Sequence, residues 1–318
     1  MRNSFIIAVI SLAILIAAPF MGRQIIYPSE IFSGGVDAEI FWQLRVPRIV
    51  LSYLAGAALS MCGMVFQAVF RNPLATPYTL GVASGASLGA AVFYMLSLPI
   101  AGGGSLFAFA GAILTMLVVF AAGSYGNSLL LAGVAVNFTF SAVVIFIQYI
   151  SSYASTLMII RFMIGGLETA SAELLPPILF AVLLGFAVTL LLRRHLDLLS
   201  LGETAAQSRG ADVARTKLAL FAMTSLVLAT VVSITGPIGF VGLMSPHISR
   251  LLVGNSHQRL AAASFLFGGG FLTLCDSAAR IIIFPAEIPV GVITSILGGP
   301  FFIFLLAKNR KKSGSLAS

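Results

Sequence analysis

Charge is scarce in this chain: Asp, Glu, Lys and Arg make up 9% of 318 residues, against roughly 25% in ordinary soluble domains. With 59% of residues hydrophobic, no soluble fold hides that much apolar surface, which excludes a water-soluble enzyme or binding module. Cysteine is nearly absent. Cys62 and Cys275 lie far apart in apolar stretches, with no His or Cys at metal-ligand spacing, and read as buried thiols. The three histidines, His195, His247 and His257, fall at loop or span-end positions without a paired carboxylate or nucleophile spaced for catalysis, so no enzymatic constellation emerges. There is no Gly-x-x-x-x-Gly-Lys-Ser/Thr sequence to cradle a nucleotide, so any ATP-driven work draws on another chain. Acidic residues are few and fall at span ends or in loops. That argues against a proton- or sodium-coupled carrier, which keeps a carboxylate near the bilayer midplane.

What the chain has is apolar length. A span needs about 20 residues, because the hydrocarbon layer is about 30 Å thick and a helix rises about 1.5 Å per residue. With Gly, Pro and charge as punctuation, apolar segments fall near 4–22, 49–69, 77–98, 105–123, 128–150, 174–192, 217–235, 238–253, 259–275 and 288–307. They predict an all-α, polytopic membrane protein of about ten helices, a single transmembrane unit over residues 1–318 with no separate soluble domain. Phe5 to Phe20 follows Arg2 in the manner of a signal peptide, but the membrane chain behind it favours an uncleaved first span. The eighth segment is short and interrupted by Pro246. Many of the 31 glycines form small-xxx-small series inside spans, as at Gly81, Gly85 and Gly89, the pattern that lets helices approach closely in lipid.

The formal charge of +8 reflects topology rather than nucleic-acid binding, since the basic residues sit at span ends and in one tail without interleaved aromatics. Lys308, Arg310, Lys311 and Lys312 mark a basic tail at 308–318, and Arg209, Arg215 and Lys217 lie in the longest loop, 195–217. Both are expected in the cytoplasm. Threading ten spans from there puts both termini in the cytoplasm and leaves five basic residues outside: Arg23, Arg45, Arg48, Arg161 and Arg280. Arg45 and Arg48 flank Pro47, which is expected to end the preceding segment and set two guanidiniums on a rigid corner. Such a pair either anchors the interface by snorkelling or meets carboxylates of a partner. Arg280 either joins that surface or pairs with Asp276. In the loop, Glu203 to Arg209 holds good helix formers, Gly210 suits a sharp stop, and Asp212 caps an expected second short helix. This is either a unit for a motor subunit to grip or an ordinary solvated loop.

Ordered motifs run from residue 45 to about 306: Arg45-Val-Pro-Arg48, Ala55-Gly-Ala-Ala-Leu-Ser-Met-Cys-Gly63 with Gln67, Asn72-Pro-Leu-Ala-Thr-Pro77 and Leu80-Gly-Val-Ala-Ser-Gly85. They continue with Leu130-Leu-Ala-Gly-Val134, Gly236-Pro-Ile-Gly-Phe-Val-Gly-Leu243, Ser245-Pro-His-Ile-Ser-Arg250, Glu287-Ile-Pro-Val-Gly-Val292 and Gly298-Gly-Pro-Phe-Phe302. Together they resemble the permease family of bacterial ABC importers for iron siderophores, haem and cobalamin. The resemblance implies two permease subunits, of this chain or of this one and a similar one, around a central path through the plasma membrane. It also implies two cytoplasmic ATPase subunits and an extracytoplasmic binding protein. In such a complex Arg45, Arg48 and Arg280 receive carboxylates of the binding protein, and Glu203, Ala206, Gly210 and Asp212 belong to the ATPase-coupling loop. Glu203 and Gly210 stand seven apart, one more than is usual in the related coupling sequence of other ABC permeases. The fifth and tenth helices are then expected along the path, with an inner gate near Gly126, Asn127 and Ser128. No cofactor or metal is expected on the chain, ATP being used by the partner subunit. A ferric siderophore is the leading cargo, with haem and cobalamin next. The competing classes are a secondary transporter driven by an ion gradient and a channel or structural membrane subunit.

Overall fold

The computed structural model describes residues 2–22, 26–32, 35–122, 127–168, 171–283 and 286–314. Helices α1 (Arg2–Ala17), α2 (Val36–Val69), α3 (Val82–Leu96), α4 (Gly103–Ala122) and α5 (Asn127–Ile150) precede a short α6 (Tyr153–Ile164). Then come α7 (Leu175–Leu191), the brief α8 (Arg193–Leu201) and α9 (Glu203–Ser208), and four more: α10 (Val213–Thr235), α11 (Val241–Val253), α12 (His257–Ala279) and α13 (Val290–Gly314). Each of the ten apolar segments read from the sequence overlaps one of these helices, and no strand occurs among the described residues. Six of the helices are long and apolar enough to cross a membrane by length and composition. The architecture is all-α and polytopic, as expected. The boundaries differ at the tail, where α13 runs on to Gly314.

The centre of the bundle is α2. Its long stretch of small and apolar residues from Leu54 to Val69 is buried throughout, because α12, α11, α10 and α7 all pack against it. The α2–α12 contact is an antiparallel ladder with three kinds of rung. At Gly56 and Gly268 the backbones touch, and a Cβ on either residue would collide with the other's carbonyl. One turn nearer the start of α2, Ser52 Oγ and Thr273 Oγ1 are 3.1 Å apart. One turn further, Arg48 meets Asp276. On the other flank Gly63 lies directly on the Gly242 carbonyl of α11. Lipid offers little hydrophobic drive between helices, so this close backbone approach is where the packing energy comes from.

Pro47 does not end the preceding segment. The helix runs from Val36 through a π-helical stretch, Ile40–Arg45, straight into the α-helix that begins at Val46. There the Val46 N–H bonds to Phe41 O, five residues back. The widened turn carries the chain past the carbonyl with which the proline ring would clash.

The eighth predicted span is short for a different reason from the one the sequence offers. Helix α11 continues through Pro246 but has only 13 residues, about 20 Å at the usual rise and less than a bilayer's depth. The missing length is non-helical backbone at 236–240, ending in Phe240 with φ of 65°. Irregular backbone at such a depth needs partners inside the protein. Tyr78 provides them: its hydroxyl donates to Ile238 O and accepts from Ile238 N, each at 3.0 Å.

The α2–α11 approach makes a test of this packing. Gly63→Ala should lower the melting temperature in detergent by the equivalent of about 1–3 kcal/mol, the usual penalty of overpacking. Gly166→Ala, at a position with no atom within 4 Å of the added methyl, should leave it unchanged.

Candidate functional site

Two clusters of ionic residues stand at opposite ends of the bundle. They are connected by α12, which touches one cluster through His257 and the other through Asp276. Nineteen residues of helix between them correspond to about 29 Å.

At one end an open recess of about 650 Å³ is lined by Arg45, Arg48, Arg161, Arg280, Glu168 and Glu287 among others. The three arginines singled out from the sequence therefore converge, but not as expected. Arg48 turns into the chain, with its Nε and Nη2 donating to Asp276 at 2.9 to 3.2 Å and its Nη1 to Glu287 Oε2 at 2.6 Å. Arg280 Nε lies 3.3 Å from Asp276 Oδ2, and its Nη2 donates to Ser277 Oγ at 3.3 Å. Asp276 is completely buried. A carboxylate in that position is tolerable only with close countercharge; two guanidiniums supply it. Arg280 thus both pairs with Asp276 and lines the recess.

Arg45 works differently. Sitting on the π-helical stretch, it donates from Nη1 to Pro19 O at 3.1 Å and to Phe20 O at 3.4 Å. Its guanidinium lies against Gly22 and so ties the end of α1 to the start of α2. Arg161, on α6, is the exposed member of the group. Sequence reasoning placed Arg161 among the exceptions to the charge asymmetry but gave it no role, because nothing local connects it with residue 45. Among the described residues lining the recess and the buried Asp276 beneath it, four guanidiniums stand with three carboxylates.

At the other end, the segment read as a loop is largely helical. Helices α8 and α9 meet at Gly202, whose φ of 122° no other residue type adopts easily. Gly210, with φ of 81°, then turns the chain toward α10. The second short helix expected after Gly210 does not form. Asp212 instead caps the long α10 itself, its Oδ1 accepting from Arg215 N at 3.0 Å. Glu203 is bound within the chain to the buried Lys217, Nζ to Oε1 at 2.6 Å, and Ala206 is fully buried. The exposed residues at this end include Leu201, Thr204, Gln207, Ser208 and Arg209.

His257 has a carboxylate partner that its sequence neighbours do not supply: Asp197 Oδ1 lies 2.7 Å from Nδ1 and accepts from His257 N at 2.9 Å. Sixty residues separate the two in sequence, so no motif announces them. Cys62 and Cys275 are buried and free, and among the described residues no group of three His, Cys, Asp or Glu side chains is placed to hold a metal. Of the expected gate, Gly126 lies outside the described residues. Asn127 begins α5, and Ser128 is exposed in its first turn.

Known proteins resemble this chain over most of its length. Residues 6–308 match the FecCD transport family. The chain is 40% identical over 295 residues to a cobalamin import system permease protein of Halobacterium salinarum, covering 91% of this chain and 79% of that protein. It is 33% identical over 283 residues to a hemin transport system permease protein of Yersinia pestis, with 86% and 85% covered. A solved metal-chelate type ABC transporter in an inward-facing conformation superposes with a TM-score of 0.87 at 30% identity, covering 96% of this chain and 99% of that one. With the ordered motifs, the helical bundle and the match over nearly its whole length all in agreement, this chain belongs to the FecCD transport family of ABC importer permeases.

Proposed function

We propose that this permease carries an iron chelate into the cytoplasm, a ferric siderophore ahead of haem or cobalamin. It would work as a complex of two permease subunits, two cytoplasmic ATPase subunits and an extracytoplasmic binding protein. The observation that carries the reading is the separation of the two ionic clusters to opposite ends of one bundle. Both termini and the 195–217 segment are then cytoplasmic, as the distribution of Lys and Arg requires, and the arginine recess opens outside.

In this reading the binding protein places carboxylates on the recess formed by Arg45, Arg48 and Arg280, with Arg161 as a fourth, exposed contact. Closure of the ATPase dimer displaces the coupling segment around Glu203, Ala206, Gly210 and Asp212. In that segment Glu203 and Ala206 hold the helices to the bundle while the neighbouring exposed residues meet the motor. Because α5 is buried over only 17% of its span, it has a broad apolar face to offer the second subunit and the path. The inner gate then falls at the start of α5, near Asn127 and Ser128. No metal-binding cluster is needed on this chain, since a chelated metal arrives caged.

Three outcomes test the reading. Arg45→Glu combined with Arg161→Glu should weaken capture of the binding protein about tenfold or more, one decade for each ~1.4 kcal/mol, at unchanged membrane abundance; undiminished capture sinks the docking assignment. Arg48→Ala leaves Asp276 with Arg280 alone and should cost about 3–5 kcal/mol, the usual consequence of breaking a buried pair. It would be read as a lower melting temperature, with part of the loss recovered in the Arg48→Ala/Asp276→Asn double variant. Leu201→Asp with Arg209→Glu should abolish copurification of the ATPase. Uptake that persists in that variant and collapses with the proton gradient would favour the ion-driven carrier.

A further inference from the structure

Helix α12 carries an ionic attachment at each end, and the two attachments lead to the two faces at which partners would bind. At its first residue, the backbone N–H of His257 and the ring Nδ1 both contact Asp197 Oδ1, at 2.9 and 2.7 Å. Ser256 occupies the position before the helix, yet its side chain makes no capping hydrogen bond. The cap comes instead from another helix, α8, whose carboxylate satisfies an orphan N–H and complements the positive end of the helix dipole. His257 is buried while Asp197 is half-exposed, so the contact is shielded on the imidazole side and open to solvent on the carboxylate side.

At the far end Asp276 lies in the last turns of α12, where a negative charge opposes the dipole. Arg48 and Arg280 hold it in place. Between the two ends α12 lies against α2 through Gly56 and Gly268 and through Ser52 and Thr273, contacts too close for the two helices to slide independently. Next to the cap, Glu203 of α9 binds Lys217 of α10 at 2.6 Å, with the lysine side chain 4% exposed. The pair of short helices is thus fastened to two long helices by the Asp197–His257 hydrogen bonds and the Glu203–Lys217 ion pair, each with one buried and one half-exposed partner.

We infer that α12 is the mechanical link between the docking face and the motor face, with Asp197 and His257 as its positioning residues at the motor end. The inference rests on the importer reading above. A partner carboxylate that redistributes Arg48 and Arg280 around Asp276 shifts the outer end of α12. The shift reaches α8 through the Asp197 cap and alters the grip on the ATPase. Coupling between two binding equilibria is reciprocal, so nucleotide binding at the motor resets the recess along the same route. Asp197 and His257 touch no transported molecule; they act by holding α8 to α12.

The test uses the complete complex in nanodiscs, with ATP hydrolysis measured with and without an excess of the binding protein that copurifies with it, no chelate being added. In Asp197→Ala the ratio of stimulated to unstimulated hydrolysis should fall about fivefold or more, the lower range of measured coupling energies, while subunit copurification persists. Asp197→Asn, whose amide oxygen still accepts from His257 N, should recover part of that ratio. An unchanged ratio in assembled Asp197→Ala and His257→Leu complexes overturns the inference and leaves the importer reading intact. If no ATPase or binding protein copurifies with the wild type, the importer reading itself falls. A measurement on the wild type needs no variant to fold: adding binding protein should change amide hydrogen exchange over residues 193–201 and at the start of α12. No change there would equally overturn the link.

Discussion

Much of this structure depends on one carboxylate. Asp276 is sealed from water and from lipid, and an unpaired charge in such a place would be prohibitive. Its two guanidinium partners come from different parts of the chain: Arg280 lies one helical turn away, and Arg48 lies 228 residues away, at the start of α2. Satisfying Asp276 therefore fixes the axial register of α2 against α12. Sliding either helix by one turn would strand the charge and would also drive Gly56 and Gly268 off their shared contact. Close packing alone tolerates several registers, because small residues recur along both helices. The ionic rung selects one of them.

The same pairing changes what the recess offers. A site of free arginines would attract anions in general. Here Arg48 is already bridged by Asp276 and Glu287, and Arg45 spends hydrogen bonds on the carbonyls after α1. A partner carboxylate must therefore compete with groups already in position, Glu287 above all, whose side chain is 45% exposed. Binding to such a surface is selective for geometry as well as charge, because only a carboxylate delivered at the right point gains more than the exchange loses.

The membrane spans were legible in the sequence because lipid enforces them: each helix needs an apolar run, and each run stands out in a chain with so few charges. The recess arginines stood out for the complementary reason, as exceptions to the charge asymmetry that the ten-span threading predicts. What stayed hidden was tertiary. The inward turn of Arg48, the Asp197 cap on α12 and the Glu203–Lys217 pair each join residues that no spacing rule relates. Helix α6 was missed because at 12 residues it is too short to register as a span. The reading of Pro47 failed because a proline rule assumes α-helical turns, and the chain uses a π-helical stretch there. At α11 the sequence identified the weak point but blamed Pro246, whereas the irregular backbone is the 236–240 segment held by Tyr78.

The distribution of charge along α12 bears on how such a bundle can move. Between Arg259, in its first turn, and Asp276 the helix carries no ionised residue, and its contacts with α2 in that interval are small side chains and bare backbone. Contacts of this kind resist separation, since a gap of even a fraction of an ångström forfeits much of the dispersion energy. A displacement that keeps α2 and α12 together is therefore favoured over one that parts them. The polar contacts with side chains of other helices lie at the two ends of the helix, and each end includes a half-exposed carboxylate, Asp197 at 41% and Glu287 at 45%. Rigid in the middle and ionic at its ends, the helix pair is built to be moved as a unit from either face.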